Sequence, residues 1–288
     1  MPKILIIGSN SNIAKNVINF LLKKKDISRV YGIDIQNKSQ IKNRKFIYKK
    51  IKLSHNKNIG QLIIDKAISI ALIFSFNLDY KNKNKYSYFS QGKNIVNNSI
   101  KIMDFNGINK VIYFSSLAVY GNQNKILTEK TKLNANTNYG KLKIISEKII
   151  SKKSRKKYNF LIFRLSQIYG KKINSSWVNK FFLFSQKKKI IKIYGDGNQK
   201  RDLLHIKDLK NLIYKSLNFS NNNIFNVCSE KAYSLNYVIK KFKARYRYYD
   251  FLNPKLEVKN IISKNTKVKN YFNWKISVNF NKSALKFD

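Results

Sequence analysis

The sequence predicts an α/β protein built on a doubly wound parallel sheet, and two observations support this. Short, continuously apolar runs that are typical of buried parallel strands recur along the chain. Segments with helical periodicity lie between them, which is the alternation of parallel α/β sheets. The first run, 3–8 (KILIIG), ends at a glycine and leads into a helical pattern over about 12–25.

Five further runs read as strands of the same sheet. The second predicted strand ends at Asp34, and the last is expected to return to the main sheet. The segment after about residue 233 has no clear periodicity, and we predict it to be irregular. The predicted strands are 29–35 (RVYGIDI), 71–76 (ALIFSF), 110–116 (KVIYFSS), 159–165 (NFLIFRL) and 223–227 (NIFNV).

The formal net charge is +45 over 288 residues. Such an excess of basic over acidic residues often indicates a nucleic-acid or membrane partner. The positive charge is nearly all lysine and is spread along the whole chain, whereas arginine makes most bidentate phosphate and base contacts. We therefore expect salt-sensitive, nonspecific anion binding and no specific nucleic-acid partner. A noncatalytic basic binding protein on the same scaffold stays open as an alternative.

A single cysteine, Cys228, excludes an internal disulfide and reads as a buried thiol within an apolar strand. Neither a signal peptide nor an apolar run long enough to span a membrane is visible. We expect a cytoplasmic protein with no membrane partner. The two histidines and the cysteine are scattered, so we predict no metal site.

The turn after the first strand, 8–14 (GSNSNIA), has the position of a phosphate-binding turn. In doubly wound sheets this turn and the following helix N-terminus present backbone N–H groups to a pyrophosphate. The predicted cofactor residues here are Gly8, Ser11, Asn12 and Ile13. Asp34 ends the second strand, where a carboxylate accepts hydrogen bonds from an adenosine ribose. Because a carboxylate there disfavours a 2′-phosphate, the sequence predicts NAD as the cofactor, in preference to NADP.

Tyr139 and Lys143 stand four residues apart in a helical pattern, so they share a face of that helix. A free phenol has a pKa of about 10, which is too high for a good base at neutral pH. A nearby ammonium favours the phenolate, and we therefore expect Lys143 to lower the pKa of Tyr139. The pair predicts a tuned general base.

Four segments taken together resemble one family. They are 115–121 (SSLAVYG), 138–143 (NYGKLK), 163–170 (FRLSQIYG) and 193–209 (IYGDGNQKRDLLHIKDL). With the opening strand–turn–helix, the set resembles the extended short-chain dehydrogenase/reductase family, in its NAD-dependent nucleotide-sugar epimerase and dehydratase branch, and is UDP-glucose 4-epimerase-like. The resemblance implies a Rossmann-type sheet with a small C-terminal substrate-binding lobe, and NAD as the cofactor.

The resemblance also implies roles for individual residues. Ser116, Tyr139 and Lys143 form the catalytic set, in which Tyr139 and Lys143 also contact the cofactor and Ser116 holds the reacting oxygen. Arg201 resembles the family arginine that pairs with the substrate diphosphate. Gln167 and Asn179 are further candidates for the substrate site. Asp202 and Asp208 look structural.

The resemblance narrows the reaction as well. Dehydratases of this branch typically carry an Asp-Glu pair directly after the active-site Ser or Thr, whereas Leu117 and Ala118 stand there in this chain. We therefore expect an epimerase that oxidises a nucleoside-diphosphate sugar at C4 and re-reduces it. An NAD(P)H-dependent keto-sugar reductase stays open as an alternative.

Some positions depart from the family pattern. Ser11 and Ala14 replace two glycines of the first turn, and Lys52 stands where an adenine-contacting aspartate is common. Bulky Phe74 and Phe76 stand at the end of the predicted strand 71–76, at the expected cofactor site.

The expected domain organisation follows the family. We predict a cofactor domain of 1–169 to which 203–228 returns, and a substrate lobe of 170–202 and 229–288. Helices near 88–106 and 138–152 are expected to form a homodimer interface.

Overall fold

The computed structural model describes residues 1–55, 64–75, 84–123, 125–154, 157–250 and 260–281. Its strands are β1 (Lys3–Ile7), β2 (Arg29–Asp34), β3 (Phe46–Lys50), β4 (Ile68–Ile73), β5 (Lys110–Ser116), β6 (Asn159–Leu165), β7 (Gln167–Tyr169), β8 (Ile191–Tyr194), β9 (Lys200–His205), β10 (Asn223–Val227), β11 (Ala232–Ser234), β12 (Tyr246–Tyr249) and β13 (Asn260–Ile261). Its helices are α1 (Asn12–Leu21), α2 (Lys85–Phe105), α3 (Asn138–Ser154), α4 (Trp177–Gln186), α5 (Ile206–Lys215), α6 (Leu235–Phe242) and α7 (Thr266–Phe272), with a short 3-10 helix at Leu117–Tyr120.

The central sheet is parallel and seven-stranded, in the order β10-β6-β5-β4-β1-β2-β3. This confirms the predicted Rossmann-type doubly wound sheet, and the predicted return of the 223–227 strand is confirmed by its place beside β6. The strand order reverses at β1, which has β2 on one side and β4 on the other. Ligands of doubly wound sheets bind at the carboxyl ends of the strands at such a reversal.

Contact density divides the chain into two compact units. The first comprises 1–115, 141–163 and 217–224, and the second comprises 116–140, 164–216 and 225–288. The predicted lobe boundaries at 169/170, 202/203 and 228/229 stay a prediction.

The first unit has a core that the strand sequences dictate. The β1 side chains from Ile4 to Ile7 are fully buried, as expected for a central parallel strand covered on both faces. Helices α2 and α3 approach closely at Gly92, where an added Cβ would lie 2.3 Å from Leu142 Cδ2. A glycine at this position therefore fixes the packing of the two helices.

The second unit contains a four-stranded sheet, in which β9 pairs with β7, β11 and β13, and a two-stranded parallel ribbon of β8 and β12. Its core includes Tyr169, Val178, Leu203, Val238 and Phe242. The expectation of an irregular tail was wrong, because α6, β12, β13 and α7 all follow residue 233. These elements are short, and helices of about two turns give a weak periodic signal in a lysine-rich sequence.

Candidate functional site

The turn after β1 depends on Gly8. Its φ of +82° lies in the region that favours glycine, and an added Cβ would stand 2.5 Å from the backbone nitrogen of Ser75. The amide nitrogens of Gly8 and Ser9 donate to the carbonyl of Ile33 at 2.8 and 3.1 Å. The glycine therefore allows three strand ends to approach at the reversal of strand order.

Ser11 begins helix α1 as its N-cap. The Ser11 hydroxyl accepts a hydrogen bond from the Ala14 amide at 3.3 Å, which satisfies one of the free N–H groups of the first turn. The loss of a glycine at Ser11 therefore gives the helix a cap. Asn12 and Ile13 follow as the first helical residues, at the end whose N–H groups favour an anion.

Asp34 lies at the end of β2, as predicted, and its carboxylate also holds the turn. One oxygen accepts the Asn10 amide at 2.9 Å, and the other accepts the Ile35 amide at 2.8 Å. The Asn10 side chain in turn donates to the Tyr48 hydroxyl at 3.2 Å. The oxygen that accepts Ile35 also accepts the Gln36 amide at 3.4 Å, whereas the oxygen that accepts Asn10 has a further lone pair for a sugar hydroxyl.

Three buried polar atoms around this turn have no hydrogen-bond partner among the described residues. They are the hydroxyl oxygens of Ser9 and Ser75 and the side-chain oxygen of Asn10. Unsatisfied buried polar atoms are uncommon in native proteins and call for a ligand or a water. The turn, the helix N-terminus, Asp34 and these atoms fit a dinucleotide such as NAD.

Two of the residues that depart from the family pattern, Lys52 and Phe74, lie in the described part of the first unit. Lys52 is exposed after β3. The Phe74 ring stacks on Phe114 at a centroid distance of 3.9 Å, so its bulk is accommodated within the first unit. Phe76 lies outside the described residues.

Ser116 and Tyr139 are joined by a side-chain hydrogen bond in the second unit. Ser116 ends β5, and its hydroxyl also accepts the Ala118 amide at 3.2 Å. The start of α3 packs closely on the 3-10 helix, because a Cβ on Gly140 would lie 2.5 Å from the Ala118 carbonyl oxygen. Gly140 therefore lets the Tyr139 phenol reach the serine.

The pKa of Tyr139 is raised by burial, while its hydrogen bond with Ser116 opposes that shift. The expected lowering of this pKa was wrong for the protein chain by itself. Burial disfavours the phenolate. The Lys143 ammonium instead donates hydrogen bonds to groups on β5.

Lys143 is 3% exposed in the first unit. Its ammonium donates to the Phe114 carbonyl at 2.7 Å and to the Tyr113 hydroxyl at 3.3 Å. Burial lowers the pKa of Lys143 to about 7, and the charge of Glu147 opposes the shift. Lys143 and Tyr139 lie one helical turn apart on α3, as the sequence predicted.

Glu147 and Ser115 are functional candidates that the sequence reasoning missed. The Ser115 hydroxyl donates to the Glu147 carboxylate at 2.5 Å, and both side chains are buried. Glu147 follows Lys143 by one further turn of α3. The chain has only 14 acidic residues, so one of them at this spacing was a signal available in the sequence.

The predicted substrate residues lie in the second unit. Asn179 is buried and braces Gly170, donating to its carbonyl at 2.6 Å and accepting from its amide at 3.2 Å. Gln167 makes long contacts of 3.4 Å to the Ile168 carbonyl and the Ser176 hydroxyl. The partly exposed Arg201 donates to the Lys200 carbonyl at 2.9 Å. Their roles in binding stay a prediction.

The structural roles expected for two aspartates agree with their contacts. Asp208 accepts from the amides of Ser277 and Val278, at 3.0 and 3.1 Å. Asp202 accepts from the Ser229 amide at 2.7 Å. Cys228 is fully buried, as expected for a packed thiol. In the part of the chain that the structure describes, no group of His, Cys, Asp and Glu side chains could hold a metal ion.

The low pKa of Lys143 has a consequence for stability. Between pH 7 and about 10 the unfolded chain binds a proton that the folded chain does not, so this group adds stability as pH rises. We expect the stability of Lys143→Met relative to the wild type to fall as the pH rises from 7 to 9.5, because only the wild type gains from the lost proton. The fall should be about 1 kcal/mol per pH unit in urea unfolding.

Lys148→Met is the matched control, because Lys148 is an exposed lysine on the same helix. Its stability difference from the wild type should not vary over this pH range. A pH-independent difference for Lys143→Met as well would contradict the lowered pKa.

The comparisons with known proteins agree with this arrangement. The model of the NAD dependent epimerase/dehydratase family matches residues 4–228. A Methanocaldococcus jannaschii protein that is provisionally named a UDP-glucose 4-epimerase is 25% identical over 249 residues, which are 81% of this chain and 79% of that protein.

Solved structures share the fold across nearly the whole chain. The UDP-glucuronic acid 4-epimerase of Bacillus cereus, in complex with UDP-glucuronic acid and NAD, has a TM-score of 0.84 at 17% identity and covers 99% of this chain and 96% of its own. The dTDP-glucose 4,6-dehydratase of Bacillus anthracis, in complex with NAD, has the same TM-score and identity, with 99% and 95% covered. Epimerases and dehydratases therefore share this fold, and only the site residues can separate them.

No helix in the described ranges is both long enough and apolar enough to cross a membrane.

Proposed function

Because the chain belongs to the NAD dependent epimerase/dehydratase family, we propose that it is an epimerase of a nucleoside-diphosphate sugar that acts by transient oxidation and re-reduction at C4. One observation carries the proposal. Ser116 is hydrogen-bonded to Tyr139, and the two residues after Ser116 are Leu117 and Ala118 and not an acid–base pair. Leu117 is buried, and neither residue can protonate a leaving hydroxyl. Elimination of water would need such a group.

In this proposal, Tyr139 and Ser116 act on the hydroxyl group of the sugar. Tyr139 takes the proton from the sugar hydroxyl and later returns it, while the Ser116 hydroxyl holds the reacting oxygen. NAD, when bound, would supply reversible acceptance of the hydride at C4. Since burial raises the pKa of Tyr139 in the chain alone, ionisation of the phenol needs positive charge in the filled site. Protonated Lys143, one turn away on α3, is the cation that the chain supplies.

The proposed cofactor site is Gly8, Ser11, Asn12, Ile13 and Asp34, completed by Tyr139 and Lys143. The proposed substrate residues are Ser116, Gln167, Asn179 and Arg201. For Arg201 the reason is chemical, because a planar guanidinium binds diphosphate oxygens through two parallel hydrogen bonds. Asn179 already holds Gly170, so we propose that it also orders the backbone of this loop.

Product analysis tests the proposed reaction. The purified protein is incubated with UDP-, dTDP- and GDP-hexoses, catalytic NAD and no reductant. A product of unchanged mass and altered retention supports the epimerase and identifies its substrate. Loss of one water would show a dehydratase, and turnover only with added NADH or NADPH would show a reductase.

Asp34 should determine the choice between NAD and NADP. Asp34→Asn keeps an oxygen acceptor for the Asn10 amide but removes the charge that repels a 2′-phosphate. We expect the ratio of Kd for NADP to Kd for NAD to fall by roughly tenfold, which is 1.4 kcal/mol. Calorimetric titration measures both constants, and Asp26→Asn serves as a surface control. Equal changes in the two Kd values would contradict the ribose assignment.

We also propose a homodimer formed through α2 and α3. Exposed apolar side chains on α2 support this, since Tyr86 is 84% exposed and Phe105 is 47% exposed. Light scattering after size exclusion measures the mass, and a monomer at all concentrations would exclude the dimer.

A further inference from the structure

A buried carboxylate, Glu147, follows Lys143 by one turn of α3, and the proposed reaction does not use it. Glu147 is 4% exposed and Lys143 is 3% exposed, so both charges are almost fully removed from water. Isolated charges are costly in such surroundings and persist when they are paired and hydrogen-bonded. The two residues follow each other by one turn on α3, which is the spacing of interacting helix pairs.

Ser115 fixes the carboxylate. Its hydroxyl donates to Glu147 Oε1 at 2.5 Å, and a hydrogen bond to an ionised acceptor is stronger than a neutral one. Ser115 directly precedes Ser116 at the end of β5. The two neighbouring serines therefore have different partners, the first on Glu147 and the second on Tyr139.

The Lys143 ammonium is also hydrogen-bonded to β5. It donates to the Phe114 carbonyl at 2.7 Å and to the Tyr113 hydroxyl at 3.3 Å, and it lies 4.8 Å from the centre of the Tyr113 ring. Two titratable groups act on it among the described residues: the Tyr113 hydroxyl on β5 accepts a hydrogen bond from it, and the Glu147 carboxylate lies one turn later on α3. Of these two, Glu147 is the carboxylic acid, and its charge opposes the effect of burial on Lys143.

We propose that Glu147 is a positioning residue whose carboxylate, anchored by the Ser115 hydroxyl, keeps the Lys143 ammonium protonated. Burial favours neutral lysine, and Glu147 is the charge that opposes it. A neutral Lys143 could not stabilise the Tyr139 phenolate. The role in turnover rests on the proposed epimerase function, whereas the effect on Lys143 does not.

The charge of Glu147 can be removed with little change in shape. Glu147→Gln keeps an oxygen that can accept the Ser115 hydroxyl and deletes the negative charge. Ser115→Ala is the second variant, because it keeps the charge and removes the anchor. Glu129→Gln is the control. Glu129 is a partly buried carboxylate in the second unit, and it accepts the backbone amide of Asn226 at 2.8 Å.

The first readout is the proton affinity of Lys143, followed by NMR of the 13C-labelled lysine Cε in the full-length protein and assigned with Lys143→Arg. Surface lysines titrate near pH 10.4, so a lysine that titrates near neutral pH stands apart. We expect Glu147→Gln to lower this affinity at least tenfold and Ser115→Ala to lower it less. Glu129→Gln should leave it unchanged.

The second readout is the pH profile of kcat/KM with the substrate found in the product analysis. Its alkaline limb should move to lower pH by about one unit in Glu147→Gln, with activity recovering below that limb. A packing defect alone would lower the whole profile without moving it.

The two readouts separate the possible failures. An unchanged Lys143 titration in both folded variants would overturn the role of Glu147, whatever the enzyme does. If Glu147→Gln does not fold, Ser115→Ala decides, and an unchanged titration there overturns the proposal. A shifted titration in a protein that turns over no nucleotide sugar would support the charge role and refute the epimerase.

Discussion

Tyr139→Phe should lower kcat by roughly 10² or more while leaving the fold intact. The change removes only the hydroxyl that bonds to Ser116 and that we assign as the proton acceptor. KM should change much less than kcat, because the proton moves only in the transition state. Steady-state kinetics on the epimer pair measures both constants.

Tyr271→Phe is the control for this change. Tyr271 lies on α7 and is 42% exposed, so the loss of its hydroxyl should have no effect on kcat. An unchanged kcat in Tyr139→Phe would remove this residue from the mechanism.

Gly8→Ala should destabilise the protein and abolish NAD binding. A left-handed φ costs a non-glycine residue roughly 1–2 kcal/mol, and overpacking adds roughly 1–3 kcal/mol. The added Cβ would stand 2.5 and 2.7 Å from the backbone N and Cα of Ser75, neither of which can rotate away. Urea unfolding and calorimetric NAD titration measure the two effects.

Gly107 provides a matched control for the backbone strain. Its φ is +66°, close to that of Gly8, but nothing lies within 4 Å of an added Cβ. Gly107→Ala should show only the conformational part of the loss and should bind NAD normally. Equal losses in the two variants would mean that the close approach to Ser75 has no energetic weight.

The sheet could be predicted because its signal is local and strong. Strands such as β1 and β6 consist largely of apolar residues. Asp34 stands at the end of β2, where a doubly wound fold predicts a ribose-binding carboxylate. The turn at Gly8 was visible for the same reason, since a glycine after an apolar strand is a compact signal. The tail was missed because its elements are short, and a helix such as α6 is stabilised by the contacts of Val238 and Phe242 in the second core.

The sequence predicts candidate site residues, but it does not predict their electrostatics. The spacing of Tyr139 and Lys143 reveals a shared helix face, but it does not reveal that the Lys143 ammonium is bound to a backbone carbonyl of β5. Burial acts on both groups in the direction of their neutral forms, and burial is a property of the folded chain. The Ser115–Glu147 pair joins β5 to α3 across 32 positions of sequence, so no local pattern displays it.

In the proposed reaction a hydride leaves C4 of the sugar and returns to the same carbon. The most direct test uses a substrate carrying deuterium at C4, with the wild-type protein, catalytic NAD and no reductant, and NMR of both epimers. The proposal predicts an epimerised product that retains deuterium at C4 through many turnovers. Exchange of that deuterium for solvent hydrogen, or turnover that needs added NADH, would contradict it.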